Sequence, residues 1–275
     1  MIKKSSSFTK SNLMTMSLSS TARGVLLKWT CLRDGVIHYF KSGSLTSLGS
    51  FSPLQPQAEI MAYRIGSQLG FPNLVETKGS TILLPETERY SEQYALLSYT
   101  KSFLRENDVQ YQGISKCIPR KDFNNVDLYQ LIVGRFPSIK QDLDLMILFD
   151  FIILNIDRHL NNFGLIIDVN NDYRLSPLFD NGLSLLAQFN SEELSVVNET
   201  FIRRRVKVKP FRSDSYKQLK LIDVKNIPKE LVNSINSVNL DWDSVFYNLD
   251  ISKKRKNMII RLVEDRLSYV KDLLS

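Results

Sequence analysis

Residues 150–186 read DFIILNIDRHLNNFGLIIDVNNDYRLSPLFDNGLSLL, and this stretch decides the predicted fold. An apolar helical pattern ends in a polar loop, after which Phe163 to Asp168 has the composition of a strand. An Asn/Asp-rich turn follows, and Arg174 to Phe179 is predicted to return antiparallel to the first strand. The hairpin therefore brings the chain back to the loop from which it started.

Three oxygen-bearing side chains are predicted to converge at the open end of this hairpin. Asn162 precedes its first strand and Asp180 follows its second, and paired strands lie roughly 4.8 Å apart. Asp157 lies on the same loop as Asn162. Carboxylate and amide oxygens suit Mg²⁺, which completes its octahedral shell with water and phosphate oxygens. Because phosphoryl transfer also needs a carboxylate that orients the attacking hydroxyl, Asp157 is the predicted base.

The spacing of two of these residues carries little weight by itself. With 18 Asp and 19 Asn in 275 residues, one D-x4-N pair is expected by chance, and Asp and Asn often cap helices and turns. The weight comes from the order of the features: a buried helix, a DRHxxN loop, a hairpin and then an Asp-x-Gly segment.

The first hundred residues predict a small antiparallel sheet with one helix. Two strand-like runs between Arg23 and Phe40 are joined by Asp34-Gly35, a strong hairpin signal. A second pair of strands is predicted at Ser80–Leu84 and Tyr94–Tyr99. Between the pairs, a helical pattern begins at Pro56 and ends before Gly70, with Glu59 in its first turn.

Beyond about residue 100 the pattern becomes mainly helical. Helices are predicted at Val126–Phe136, Gln141–Ile156 and Lys253–Leu274, the second of them apolar nearly all round and therefore buried. Strand signals stop between Ser98 and Arg105, where we place the boundary between two lobes, residues 1–100 and 101–275. The predicted fold class is α+β, with a ligand cleft between the lobes.

Composition limits the classes of protein to which the chain can belong. The 275 residues are 43% hydrophobic and 24% charged, enough apolar material for a large domain or two small lobes, which disfavours disorder and coiled coils. The formal net charge of +7 favours a partner that carries phosphates or carboxylates.

Cysteine usage and hydropathy favour a cytoplasmic protein without a membrane span. Cys31 and Cys117 are the two cysteines, too far apart for a thiolate metal site and too few for a disulfide framework. The most apolar stretch, Leu143–Ile156, is shorter than a bilayer span and contains Asp144 and Asp150. The N-terminus lacks the apolar core of a secretory signal. Secretion as an effector stays open as an alternative.

The ordered segments Asp157-Arg158-His159-Leu160-Asn161-Asn162 and Pro177-Leu178-Phe179-Asp180-Asn181-Gly182 resemble the catalytic core of the HipA-like serine/threonine kinases, especially their compact, CtkA-like branch. The DRHxxN order is also similar to that of phosphoinositide kinases. The resemblance implies a two-lobed protein-kinase-like fold and an ATP- and Mg²⁺-dependent transfer of phosphate to a Ser or Thr hydroxyl.

The resemblance also implies a role for each matched residue. Asp157 would be the catalytic base, Asn162 and Asp180 the Mg²⁺ ligands, and Lys41 the lysine that holds the ATP phosphates while pairing with Glu59. Residues 17–24 would form the phosphate-covering loop, where Ser19 and Ser20 would contact the nucleotide and become autophosphorylated. The hinge that meets adenine would contain Leu97, Ser98 and Tyr99.

The chain departs from ordinary protein kinases at two points. The phosphate loop contains one glycine, Gly24, where ordinary protein kinases have three, and Asn181 follows Asp180 where they have Phe. The first departure weakens the case for a backbone cradle around the phosphates. The second means that in-out switching of an aromatic side chain is not expected.

Several assignments have alternatives. His159 either accepts a proton or fixes its loop by a hydrogen bond, and we favour the second. Arg158 is expected to pair with a carboxylate or a phosphorylated residue. Lys28 competes with Lys41, and an acidic residue such as Glu59 is favoured near a helix N-terminus by the helix dipole alone.

The ordered motifs and a basic run near residue 207 together leave three functional classes open. The leading one is the HipA-like kinase, with a toxin or effector role. The second is a lipid or small-molecule kinase, and the third is a catalytically silent module that binds an acidic or nucleic-acid-associated partner. A solvated loop would also explain the run. Its cations are Arg203, Arg204, Arg205, Lys207, Lys209 and Arg212.

Overall fold

The computed structural model describes residues 13–21, 24–119, 127–197, 206–212 and 214–275. Its first sheet is antiparallel and has the strand order β1-β2-β3-β5-β4. Asp34 (φ 51°) and Gly35 (φ 76°) form the tight turn between β2 and β3, which confirms the predicted hairpin. The five strands are β1 (Leu13–Thr21), β2 (Gly24–Arg33), β3 (Val36–Ser44), β4 (Thr77–Leu84) and β5 (Gln93–Lys101).

Helix α1 (Leu54–Gln68) packs on one face of this sheet and ends before Gly70, whose φ is +77°. The predicted start at Pro56 is two residues late. Proline lacks an N–H, and first-turn residues need no N–H partner, so it can occupy any position of that turn. Glu59 therefore lies in the second turn, and the first turn holds no acidic residue. The expectation that Glu59 lies in the first turn is wrong.

Successive side chains of each strand point to opposite faces of the sheet, and the two faces differ in composition. Lys41 pairs across the sheet with Ser98 on the face that α1 covers. The neighbouring residues Phe40 and Leu97 point to the other face, where they join a small core with Trp29. The sheet therefore has an apolar back and a front that presents Lys41 to the rest of the molecule.

The core of the second lobe is built around α4 (Lys140–Ile152), which is buried on nearly all sides as predicted. The predicted end at Ile156 is wrong, because the chain leaves the helix after Ile152 and Leu154 takes a φ of 51°. The residues that follow the helix are also buried, so the apolar pattern continues past the point where the helix stops. The chain then turns into the polar DRHxxN loop.

A second antiparallel sheet, with the order β6-β7-β8, carries that loop. Its strands are β6 (Asp108–Gly113), β7 (Gly164–Asp168) and β8 (Tyr173–Leu175). The prediction that strand structure stops near residue 105 missed β6, whose polar sequence DVQYQG is typical of an exposed edge. The predicted return strand was too long, because pairing ends at Leu175 and the chain runs irregularly to Asp180.

The remaining helices complete a mainly helical second lobe. The last helix matches its prediction residue for residue, and the helix predicted at Val126–Phe136 spans Leu128–Arg135. Among the described residues, no helix has the length and hydropathy needed to span a bilayer. The predicted α+β class is confirmed. These helices are α2 (Ile114–Cys117), α3 (Leu128–Arg135), α5 (Ser191–Val196), α6 (Ser215–Leu219), α7 (Lys229–Ser237), α8 (Trp242–Phe246) and α9 (Lys253–Leu274).

Candidate active site

The Lys41 ammonium connects the two lobes. Its Nζ lies 3.2 Å from Oε1 of Glu59 on α1 and also contacts Oδ1 of Asp180 in the second lobe. The side chains of Lys41, Glu59 and Asp180 are 21%, 7% and 27% exposed, respectively. A cation shared between two carboxylates in a half-buried cleft is thus the centre of the candidate site.

Burial and charge act in opposite directions on the pKa values of this cluster. Burial by itself would lower the pKa of Lys41, but the negative charges of Asp180 and Glu59 raise it above its ordinary value. Burial would raise the pKa of Asp180, but the charge and hydrogen bond of Lys41 lower it to about 2. Burial raises the pKa of Glu59, and the neighbouring Asp180 carboxylate adds to this rise while Lys41 opposes it. Asp180 is consequently a carboxylate at neutral pH.

Lys28 is a second cation on the Asp180 side of the cleft. It lies opposite Lys41 in the β2–β3 register, is exposed to solvent, and its charge also helps to lower the pKa of Asp180. Lys41, however, is the lysine that contacts both carboxylates.

The Asp-Asn-Gly segment fits closely beneath α1. The main-chain N–H of Asn181 donates to Oε2 of Glu59 at 2.8 Å. A Cβ at Gly182 would lie 3.3 Å from Glu59 Oε1 and 3.5 Å from Lys41 Nζ. A side chain at this position would therefore press on the Glu59 carboxylate where the segment passes the Lys41–Glu59 pair.

Arg158 is a fully buried hub that joins the DRHxxN loop to this segment. Its Nε and one terminal nitrogen bind the two oxygens of Asp150, at 2.9 and 2.8 Å. This terminal nitrogen, Nη2, also donates to Asn181 Oδ1 at 2.6 Å. The other terminal nitrogen, Nη1, donates to the main-chain oxygens of Asn162, at 3.2 Å, and of Phe179. The expected pairing of Arg158 with a carboxylate is confirmed. Because one nitrogen bonds to Asn162 and to the residue before Asp180, the two predicted metal ligands belong to neighbouring segments.

The backbone of the loop is held by its own side chains. The N–H of Asp157 donates to Asn155 Oδ1 at 3.1 Å, and Nδ2 of Asn162 donates to the main-chain oxygen of Asp157 at 3.2 Å. The second bond leaves the amide oxygen of Asn162 available as a ligand. His159 Nδ1 accepts from the N–H of Asn161 at 3.3 Å, which is the loop-fixing contact favoured from the sequence. A catalytic role for His159 stays a prediction.

The donors present suit a hard cation. Asn162 offers an amide oxygen and Asp180 a carboxylate that stays ionised, and Mg²⁺ prefers both. Within the described ranges there is no group of three or more His, Cys, Asp or Glu side chains arranged for a metal ion. A metal held by these two residues would therefore take its remaining ligands from phosphate and water.

The predicted hinge lies inside the first sheet. Leu97, Ser98 and Tyr99 belong to β5, and β4 pairs with all three while β3 pairs with the last two. Leu97 is buried in the core behind the sheet, and Ser98 Oγ donates to the main-chain oxygen of Lys41 at 3.4 Å. The chain leaves the sheet after Lys101. A role of these three residues in adenine binding stays a prediction.

The predicted phosphate loop corresponds to β1 and its turn. Ser19 and Ser20 lie at the end of β1 and pair with Leu26 and Val25 of β2. Their side chains are outside the described part of the structure, as are the residues Arg203, Arg204 and Arg205 of the basic run. Contacts of these residues with a nucleotide or partner stay predictions.

Two features of the site were not predicted. Phe103, Tyr111 and Phe179 form an aromatic cluster beside Asp180, with ring centroids 5.5 to 5.8 Å apart. Lys209 of the basic run lies with its Nζ 2.6 Å from Asp157 Oδ1. Neither contact has a local signal, because the partners are far apart in the chain. The basic run was visible, but its position against Asp157 was not.

The fold is that of a protein kinase. The crystal structure of a Helicobacter pylori proinflammatory kinase, CtkA, matches with a TM-score of 0.57 at 15% identity, over 94% of each chain. The structure of hydra Fam20 with sugar matches with a TM-score of 0.53 at 13% identity, over 96% of this chain and 84% of that one. No protein-family model matches the sequence, and a search of curated proteins gives no match. At these identities the likeness defines the fold.

Proposed function

We propose that this protein is a HipA-like serine/threonine kinase that transfers the γ-phosphate of ATP to a protein hydroxyl in the presence of Mg²⁺. The observation that carries the proposal is the Lys41 ammonium, held between Glu59 of α1 and Asp180 of the second lobe. A lysine anchored in this way can hold the phosphates of a nucleotide while Asp180 faces them. The kinase fold provides the cleft in which this pair would act.

The residues of the loop have complementary roles in the proposed transfer. The Asp157 carboxylate accepts the proton of the Ser or Thr hydroxyl, whose oxygen forms the new bond to the γ-phosphorus. The bond between that phosphorus and the bridging oxygen breaks, and its electron pair leaves with ADP. Arg158 takes no part in proton transfer, since it is buried and holds the loop geometry. Catalysis then comes from orientation and charge stabilisation.

Mg²⁺, when bound, would neutralise phosphate charge between Asn162 and Asp180. The contribution of the chain is to keep both oxygen donors in place. Asn162 does so through its amide bond to the Asp157 main chain, and Asp180 through its ion pair with Lys41. In the presence of nucleotide and metal, Asp180 would share its carboxylate between Lys41 and Mg²⁺.

The basic run beside Asp157 favours an acceptor with negative charge nearby. Lys207 and Lys209 are exposed on the segment that contacts the predicted base. An acidic peptide would satisfy these cations, and so would the headgroup of a phosphoinositide. The lipid kinase is therefore the second candidate. We favour protein because the segments 157–162 and 177–182 resemble the HipA-like serine/threonine kinases and the fold matches that of a kinase, CtkA, over 94% of its chain.

Mass spectrometry of proteins from a lysate incubated with Mg-ATP and the wild-type chain tests the proposal, with an Asp157→Asn variant as the inactive reference. We expect phosphorylated Ser or Thr peptides that depend on Asp157. Labelling of phosphoinositide vesicles with no labelled protein would decide for the lipid kinase. Salt-sensitive binding to a partner without ATP turnover would decide for the silent module.

The same incubation tests self-modification. Ser19 and Ser20 lie on the strand that would cover the phosphates, and a phosphate there would add about two negative charges close to those of ATP. We expect a mass gain of one or more phosphates on residues 15–24 of the wild-type chain. No gain in that peptide would remove autophosphorylation of the loop from the proposal. A cytoplasmic toxin or effector role is the biological setting we propose.

A further inference from the structure

In the described part of the second lobe, Lys209 is the cation that contacts the predicted base, Asp157. Its Nζ lies 2.6 Å from Asp157 Oδ1, and the two side chains are 60% and 29% exposed. Among the described residues, no hydrogen bond reaches the second carboxylate oxygen, Oδ2, and we assign this oxygen to the acceptor hydroxyl. A hydroxyl bound there would have the Lys209 ammonium as its neighbour.

Buried groups hold the main chain at Lys209 and directly after it. The buried side chain of Gln218 donates to the main-chain oxygen of Lys209 at 3.2 Å and accepts the N–H of Phe211 at 3.0 Å. The Phe211 ring is 7% exposed and packs edge-on against Phe163, the residue after Asn162, with centroids 6.1 Å apart. Lys209 is therefore presented to Asp157 from a fixed support that also contacts the catalytic loop.

The Lys209–Asp157 pair contributes little to folding stability. Ion pairs with an exposed lysine gain little Coulomb energy in water and order a long side chain. The anchoring of the segment rests on Gln218 and Phe211, which would remain without the lysine charge. The position of the ammonium thus calls for an explanation in the chemistry of the site.

Two other cations of the site, Arg158 and Lys41, are already bound to protein groups. The five N–H donors of Arg158 bind Asp150, Asn181 and two main-chain oxygens, so this guanidinium has none left for a phosphate. Lys41 is held between two carboxylates at the opposite side of the cleft. Lys209 has a largely exposed ammonium at the acceptor side, where negative charge moves during transfer.

We propose that Lys209 is a catalytic residue whose ammonium contacts the phosphoryl group as it passes from ATP to the acceptor hydroxyl. This inference rests on the proposed kinase function. A reacting hydroxyl on Asp157 lies about 3 to 3.5 Å from the γ-phosphorus. An ammonium that reaches Asp157 therefore needs only a small side-chain rotation to reach an equatorial phosphate oxygen, where transition-state charge is spread. Lys209 keeps its protons throughout, and the hydroxyl proton goes to Asp157.

The test compares Lys209→Met and Lys209→Arg with a matched control, Lys217→Met. Lys217 is also an exposed lysine beside a carboxylate, 56% exposed and 3.6 Å from Asp214. For Lys209→Met we expect kcat to fall about tenfold to hundredfold, as for loss of one transition-state donor. Affinity for a non-hydrolysable ATP analogue should fall severalfold while affinity for ADP stays unchanged. Lys209→Arg should recover part of both losses, and Lys217→Met should match the wild type.

Each other outcome is decisive. An unchanged kcat together with unchanged affinities in Lys209→Met overturns the assignment, as does a loss of analogue and ADP affinity in equal measure. A raised kcat also overturns it, because Lys209 would then act by masking Asp157. If the wild-type protein transfers no phosphate at all, the proposed function fails and this assignment fails with it. Transfer by the wild type with an unaffected variant removes the assignment alone.

Discussion

The main-chain N–H of Asn181 donates a 2.8 Å hydrogen bond to Oε2 of Glu59, a residue 122 positions earlier in the chain. The other oxygen of the same carboxylate lies 3.2 Å from Lys41 Nζ. Glu59 therefore positions both Lys41, the lysine proposed to bind phosphate, and the segment that carries the predicted metal ligand. At the candidate site, this one carboxylate contacts both lobes, and the arrangement of the site depends on it.

Removing the Lys41 charge should destabilise the protein as well as inactivate it. Lys41→Met leaves the largely buried Glu59 and Asp180 carboxylates without their shared partner, which costs roughly 3 kcal/mol. Urea unfolding measures this loss. The matched control is Lys78→Met, which breaks an exposed pair with Glu76 at 2.9 Å and should cost less than about 1 kcal/mol. Equal losses of unfolding free energy in the two variants would show that the Lys41 cluster stabilises the fold no more than an exposed ion pair does.

The stability contributed by Asp180 should depend on pH in acid. Its pKa is about 2 in the folded protein, because Lys41, Lys28 and Arg158 outweigh the effect of burial, against about 3.9 for an unfolded chain. A lowered pKa contributes stability above the unfolded value that is lost as pH falls through the folded value, here between about pH 5 and 2. The contribution is roughly 2.5 kcal/mol near pH 6 and about half of that at pH 3.

The difference in unfolding free energy between the wild type and Asp180→Asn isolates this contribution. We expect the difference to shrink by about 1 kcal/mol or more between pH 6 and pH 3. Asp272→Asn, at an exposed position of the last helix, is the control and should show no such change. A wild-type advantage over Asp180→Asn that is constant across this range would contradict the ion pair.

Arg158 should tolerate no conservative replacement. Lysine in its place has three donors and no planar fork, so it cannot bind both Asp150 oxygens, Asn181 and the loop carbonyls together. Arg158→Lys should lower the unfolding free energy by roughly 3 kcal/mol, since the 0% exposed site leaves donors or acceptors unsatisfied. Thermal unfolding together with the transfer assay measures both effects. Wild-type stability in this variant would refute the role of Arg158 as a hub.

Gly182→Ala should reduce activity more than stability. The new Cβ would lie 3.3 Å from Glu59 Oε1, so this oxygen must move by a few tenths of an ångström, which disturbs its contact with Lys41. We expect kcat/KM for ATP to fall severalfold. Gly134→Ala is the comparison, because no atom lies within 4 Å of its Cβ and the helix interior favours alanine by about 0.5 to 1 kcal/mol. A Gly182→Ala variant that loses stability but keeps its activity would contradict the close fit of this segment against Glu59.

Local signals in the sequence predicted those elements whose physical cause is local. The Asp34-Gly35 turn needs positive φ at both positions, and the last helix has a continuous apolar stripe with Ser252 as its cap. The edge strand β6 was missed because it is short and mostly polar, and Val109, one of its two apolar residues, is exposed. The end of α4 was misplaced because Leu154 is buried beyond the helix, so the apolar pattern does not stop where the helix does.

The features of the candidate site also divide into those with a local sequence signal and those without one. The order of motifs predicted that Asn162 and Asp180 lie on neighbouring segments, because a hairpin returns its ends to the same edge of a sheet. The five bonds of Arg158 and the contact between Lys209 and Asp157 depend on packing between segments distant in sequence. No spacing rule reports such contacts, and they had to be read from the structure.

The most direct test of the kinase proposal is transfer of label from γ-phosphate-labelled ATP by the purified chain, with Mg²⁺ and with a chelator. Asp157→Asn and Asp180→Asn are compared with Asp272→Asn, and thermal unfolding verifies that each variant folds. We predict Mg²⁺-dependent transfer by the wild type and by Asp272→Asn, and loss of at least a hundredfold in the other two variants. Undiminished transfer by folded Asp157→Asn and Asp180→Asn variants would contradict the account.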